Sequence, residues 1–138
     1  MHRLKILVLI LLLSGNIVHL FAQGKFYTCH EVTADEFHAW SQAFLPVVIL
    51  DVRDKEAFRR KHIPRAIWAP TDSVLISISD TLDAEQMIFI YDDYGNESLD
   101  ACLLLASKGK KSVYHVRNGF FEWNNLGYPV EELNKKNK

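Results

Sequence analysis

Two uninterrupted apolar runs set the fold of this chain. Val47-Val48-Ile49-Leu50 and Met87-Ile88-Phe89-Ile90-Tyr91 contain no charged residue, and each runs straight into an aspartate, Asp51 and Asp92. A strand with apolar side chains on both faces has no face to give to water, so it belongs inside a sheet covered on both sides. Lys111 to Val116 reads as a further strand, and the pieces around Phe26 to Cys29 and Ala66 to Trp68 read as weaker ones. Segments of helical period lie between them. Thr33 with Glu36 forms a capping box that opens a helix to about Ala43. Asp54 opens a short helix to about Arg60, Asn96 to Lys108 is a long one closed by Gly109, and Asn118 to Leu126 is a last one closed by Gly127. Strands separated by helices predict right-handed βαβ units and a three-layer α/β/α architecture with a parallel sheet.

The N-terminal apolar residues belong to a different reading. His2, Arg3 and Lys5 precede the unbroken run Ile6 to Leu13, and a second apolar patch ends at Leu20-Phe21-Ala22-Gln23. This is the form of a secretory signal peptide over residues 1–22, with cleavage after Ala22 and an uncleaved membrane anchor as the alternative. The expected organisation is then a signal peptide, one domain over residues 23–133 and a disordered tail over residues 134–138. The chain's 138 residues are one domain's worth, with 16 Lys+Arg against 17 Asp+Glu. Loss of residues 1–22 removes Arg3 and Lys5 and no acid, leaving 14 bases against 17 acids. A mildly acidic exported domain without a long basic run excludes nucleic acid as its main partner. The predicted location is secreted or periplasmic, with membrane contact only if the first segment is retained. An oxidising compartment makes cysteine pairing relevant, and the domain has two, Cys29 and Cys102. Two cysteines permit one bridge and prove none. Cys102 lies in the apolar helical stretch Ala101 to Ala106, so it reads by default as a small buried hydrophobe.

In open parallel sheets the functional crevice lies beyond the carboxyl ends of the strands. Two segments there are polar enough to line it, Asp51-Val52-Arg53-Asp54 and Asp92-Asp93-Tyr94-Gly95-Asn96-Glu97-Ser98. The plain alternative for each is a solvated loop with a helix cap.

These residues resemble the rhodanese-like family over about residues 28–131. The resemblance rests on Val47 to Arg53, then Glu56-Ala57-Phe58, then His62-Ile63-Pro64-Arg65-Ala66-Ile67 and the strand into Tyr91. It continues through Asn118-Gly119-Phe120-Phe121-Glu122-Trp123 and Gly127-Tyr128-Pro129-Val130. It implies a five-stranded parallel sheet between helices. It also implies an active-site loop after the central strand of the form C-x-x-G-x-R, whose backbone N–H groups would hold the anionic sulfur of a persulfide. Here that loop is Asp92 to Glu97, with Gly95 in register, Asp92 at the nucleophile's place and Glu97 at the arginine's.

Both departures bear on mechanism. Sulfur transfer needs a polarizable thiolate that attacks a sulfane sulfur and carries it as a persulfide, and a carboxylate is a poor nucleophile toward sulfur. The phosphatases related to this fold use the same cysteine, so that activity is lost with it. Asp92, Asp93 and Glu97 would repel an incoming dianion by about 1 kcal/mol per close charge pair in water. The Asp92 carboxylate is expected instead to accept the loop N–H groups and fill the anion site itself.

The charges segregate along the chain. No Lys or Arg occurs from Ala66 to Ser107, where there are eight acids, whereas Lys55, Arg59, Arg60, Lys61 and Arg65 crowd into eleven positions. Lys61 and Arg65 replace the glycines usual in the family on either side of His-Ile-Pro. This is either a charged docking rim or a solvated surface with ion pairs worth at most about 1 kcal/mol each. Asp92, Asp93 and Glu97 offer oxygen ligands but match no standard calcium-loop spacing, and His30, His38, His62 and His115 lack ligand spacing, so no metal or cofactor is expected. Trp40, Trp68 and Trp123 read as core or crevice wall.

The sequence therefore predicts an exported rhodanese-like domain that is catalytically inactive and acts as a binding or interaction module. Its unknown protein or small-molecule partner would meet Arg53, Lys61, His62, Arg65, Asp92 and Glu97 at the crevice. The alternatives are a sulfurtransferase using Cys29 or Cys102 as its thiol, and a hydrolase using Asp92 and Asp93 as an acid/base pair.

Overall fold

The computed structural model describes residues 28–43 and 46–133. The expected signal peptide and the tail lie outside the described residues, as do residues 26 and 27 of the predicted 26–29 strand. Five parallel strands, β1 (His30–Val32), β2 (Val47–Asp51), β3 (Ile67–Trp68), β4 (Met87–Tyr91) and β5 (Val113–Val116), form one sheet in the order β1-β5-β4-β2-β3. Five helices connect or follow them: α1 (Ala34–Gln42), α2 (Lys55–Arg60), α3 (Asp72–Asp80), α4 (Asn96–Ser107) and α5 (Gly119–Asn125).

The two apolar runs occupy the protected middle of the sheet. β2 pairs with β4 in register from Val47 opposite Met87 to Asp51 opposite Tyr91. Successive side chains alternate between two cores. Leu50, Ile88 and Ile90 pack with Leu75, Cys102, Leu105 and Val113 beneath α3 and α4. Ile49, Phe89 and Tyr91 pack with Phe37, Ile63, Val116 and Trp123 beneath α1 and α5. With both faces covered, an uninterrupted apolar strand costs nothing in exposed surface, which is why these runs lack the polar alternation of a half-solvated strand.

Three expectations are corrected. Strand β1 begins at His30, so Thr28 and Cys29 precede it. Helix α3 is not among the predicted helices; it is capped by Thr71, whose side chain accepts from the Val74 N–H, and it buries Leu75 and Ser79. Its β-branched Val74, Ile76 and Ile78 weaken the helical signal, and burial of one stripe decides its conformation. Cys102 is fully buried as expected, but it is joined by a disulfide to Cys29, with the two Cα atoms 5.6 Å apart. That spacing suits a bridge. It arises because β1 lies against β5 at the sheet edge, and the residue entering β1 meets the middle of α4. A separation of 73 residues holds no trace of that neighbourhood.

Candidate functional site

Strands β2 and β4 are adjacent, so their terminal aspartates and the loops that follow meet at one end of the sheet. Asp51 is fully buried. Its Oδ1 accepts from the Arg53 backbone N–H at 3.0 Å and from Arg53 Nε at 3.0 Å, while Oδ2 accepts from Arg53 Nη2 at 2.7 Å and from the Tyr91 hydroxyl. Arg53 also donates to the Lys61 carbonyl at 2.7 Å and to Asp93 Oδ1 at 3.3 Å, and its guanidinium lies 4.1 Å from the centre of the Phe120 ring. Burial works against the Arg53 charge, but the bonded Asp51 carboxylate outweighs it and holds the guanidinium protonated above its ordinary range. Burial, followed by the Asp51 charge, pushes the Tyr91 phenol well above its ordinary value. The buried charges are paired and saturated with hydrogen bonds, the condition under which an ion pair survives in a protein interior. Arg53 is thereby held to its own chain and has little charge left for a ligand.

The loop after β4 turns back on itself around Asp92, which is 4% exposed. Asp92 Oδ1 accepts from the Gly95 N–H at 2.6 Å and from the Ser98 hydroxyl at 2.9 Å, and Oδ2 accepts from the Glu97 N–H at 3.1 Å. Gly95, with φ of 99°, is the left-handed residue before α4 and aims the following N–H groups inward. A carboxylate there meets the free N–H groups at the start of a twelve-residue helix, where negative charge is favoured. The geometry agrees with the expectation that this carboxylate takes the loop's donors.

Helix α5 holds the loop from the other side. The Phe120 N–H donates to the Asp92 carbonyl at 2.7 Å and the Phe121 N–H to the Asp93 carbonyl at 3.0 Å. Gly119 makes this approach feasible, because a Cβ there would lie 2.2 Å from the Asp92 carbonyl oxygen.

Beside the loop is an open crevice of about 600 Å³ whose lining includes Arg53, Lys55, Trp68, Asp93, Tyr94 and Glu97, with Asp92 at its base. Of the residues expected to bind a partner, Arg53, Asp92 and Glu97 line it; Lys61, His62 and Arg65 do not. Lys61 contributes its carbonyl to Arg53. His62 is buried, stacked on Phe58, with Nδ1 2.9 Å from the Phe58 carbonyl oxygen and Nε2 3.3 Å from the Glu131 carboxylate. Arg65, in the left-handed region at φ 66°, turns its guanidinium to the Ser41 carbonyl at 2.9 Å. Lys55 and Trp68 are crevice residues that the binding expectation omits. Lys55 starts α2 directly after the Asp54 cap, and the Trp68 indole N–H donates to the Arg53 carbonyl at 2.9 Å. Trp123 is core, whereas Trp40 is exposed on α1, neither core nor wall. Among the described residues, no three His, Cys, Asp or Glu side chains gather as metal ligands.

The parallel sheet, the left-handed glycine before α4 and the N–H-lined turn after the central strand define a class of α/β domain built to hold an anion at that turn. A family model described as Rhodanese-like domain matches residues 33–126, and the chain belongs to that family. It is 34% identical over 87 residues to a thiosulfate sulfurtransferase GlpE of Pseudomonas syringae pv. syringae, spanning 62% of this chain and 79% of that protein. Its fold is similar to the crystal structure of the Alr3790 protein from Anabaena sp., with a TM-score of 0.68 at 25% identity, over 75% of this chain and 93% of that one. It is also similar to a thiosulfate sulfurtransferase from Pseudomonas aeruginosa, with a TM-score of 0.67 at 22% identity, over 75% of this chain and 20% of that longer one.

Proposed function

We propose that this chain is a non-catalytic rhodanese-like domain that works outside the cytoplasm as an interaction module, with the crevice beside the 92–98 loop as its contact surface. The observation that carries the reading is Asp92. It stands first in the loop, where the family resemblance places the sulfur-carrying cysteine, and its carboxylate accepts three bonds from Gly95, Glu97 and Ser98. A persulfide forms when a thiolate attacks the sulfane sulfur of thiosulfate and sulfite leaves; a carboxylate, here engaged by three donors, lacks the polarizability for that attack and forms no comparable sulfur carrier. Glu97, in the first turn of α4, adds negative charge where a dianionic donor would arrive. The disulfide between Cys29 and Cys102 supports an oxidising location, in keeping with the N-terminal segment.

A second reading has its own support in the name of the curated relatives, thiosulfate sulfurtransferase. Transfer by this chain would need Cys29 or Cys102 as its thiol. Both sulfurs are spent in the disulfide, and Cys102 is fully buried, so neither presents a thiolate to solvent. The discriminating experiment is a thiosulfate-to-cyanide assay on the wild type, Asp92→Cys and Asp92→Cys/Glu97→Arg. No turnover above background in the wild type, with activity appearing in the substituted forms, is the expected outcome. Wild-type turnover that disappears on changing Cys29 or Cys102 would overturn the non-catalytic reading.

A further inference from the structure

A second hollow adjoins the crevice. Tyr94, Asn118, Phe121, Glu122, Asn125 and Leu126 enclose an open groove of about 560 Å³ between the 92–98 loop and α5. Its apolar residues are unusually bare: Tyr94 is 65% exposed, Phe121 54% and Leu126 47%. The Tyr94 and Phe121 rings lie 5.7 Å apart and shield each other only in part. Clustered aromatic exposure of this kind marks a contact surface more often than isolated exposed residues do.

Tyr94 is a wall of both hollows, so the apolar groove and the crevice are continuous. The two differ in charge. On the crevice side Arg53 is engaged by Asp51 and Asp93, which leaves Lys55 as the other cation of the lining, against Asp54 and Glu97. Glu97 is also shared with a smaller neighbouring hollow that contains Asp72 and Asp100. The surface therefore offers an apolar seat beside a negative one, with Tyr94 and Trp68 on hand to meet a cation face-on.

We propose that this face docks a segment of a partner protein in which a bulky apolar side chain is followed directly by Lys or Arg, the first seated against Tyr94, Phe121 and Leu126, the second reaching Glu97. Two unlike subsites sharing one wall are met by neighbouring side chains of a single peptide, which a small inorganic cation cannot supply. A second copy is a poorer occupant through its basic helix α2, because Phe58 and Ile63, the apolar neighbours of Arg59 to Lys61, are buried. At its C terminus Asn134 separates Leu133 from Lys135 and Lys136, a looser version of the pattern, so self-association is read in the same experiment. The inference rests on the reading of the crevice as an interaction surface and narrows the partner's chemistry.

The test is NMR titration of the chain with the capped peptide Gly-Ser-Leu-Lys-Arg-Ser-Gly, beside versions carrying Glu-Glu in place of Lys-Arg or Ser in place of Leu. The expected result is a set of shifts at Tyr94, Glu97, Phe121 and Leu126, with affinity falling about fivefold or more for each altered peptide and more steeply with salt for the basic one. Phe121→Ser and Glu97→Lys each weaken binding about tenfold while keeping the dispersed spectrum of the folded chain; if one fails to fold, the other carries the comparison. Absence of shifts at millimolar peptide, equal binding of the Glu-Glu version, or sedimentation showing self-association lost in Phe121→Ser would overturn the proposal. If the peptide fails while the wild type also lacks sulfur transfer, the partner class falls and the non-catalytic reading stands. Peptide binding together with wild-type turnover gives the reverse.

Discussion

At the scale of single residues, the site depends on how closely backbone segments approach the 92–98 loop. Gly119 illustrates this: with φ of 49° and the Asp92 carbonyl 2.2 Å from where a Cβ would sit, any side chain must push the loop or the start of α5 aside. Gly119→Ala is expected to lower unfolding stability by about 3 kcal/mol, combining left-handed strain with overpacking, and to broaden the loop's amide signals, as read by denaturant melts and NMR. Tyr91 makes a prediction about pH. Its phenol titrates well above the ordinary value of 10.0 in the folded chain, held there by burial and then by Asp51. The unfolded chain releases that proton first, so the contribution is fully present below about pH 10 and is lost as pH rises beyond it. Tyr91→Phe should be less stable at neutral pH, since Asp51 and the Ile63 N–H lose a partner, yet show a shallower decline in stability on the alkaline side. The role of Asp92 was legible from the sequence because loop position and carboxylate reach fix it locally. Arg65 was not: its direction follows from a left-handed backbone and from Ser41, 24 residues away.

At the scale of elements, α4 links two parts of the account. Its first turn supplies the Glu97 N–H and the Ser98 hydroxyl to Asp92, and Cys102 in its middle is bridged to the residue that precedes β1. The bridge closes a loop of 73 residues, for which chain-entropy arguments give a stabilisation of about 4 kcal/mol. Cys29→Ala/Cys102→Ala, or reduction of the wild type, is expected to cost about 2 to 5 kcal/mol in urea unfolding without changing the sheet's far-UV signature. No change in midpoint would remove the staple from the account. The central strands and four of the five helices were readable because burial on both sheet faces, capping boxes and terminal glycines leave marks within a few residues. The disulfide and α3 were not, since one depends on the sheet order at the β1 edge and the other on a buried stripe formed by Leu75 and Ser79. Neither is a local property of the chain.

At the scale of the whole molecule, the turn after the central strand is lined with N–H donors and filled by the chain's own carboxylate. A loop carboxylate occupies the donors, a buried Asp51–Arg53–Tyr91 network keeps the neighbouring cation to itself, and acids dominate the surrounding face. The segregation of charge seen in the sequence survives in space, although of its basic half only Lys55 lines the crevice: Lys61 and Arg65 serve the chain through a carbonyl and a contact to Ser41. Whether Asp92 stands in for a carried sulfur is decided by intact-mass spectrometry after incubation with thiosulfate. The expected result is a wild type of unchanged mass and an Asp92→Cys chain that gains one sulfur atom, removable by cyanide. A wild-type chain that gains the sulfur atom under the same conditions would contradict it.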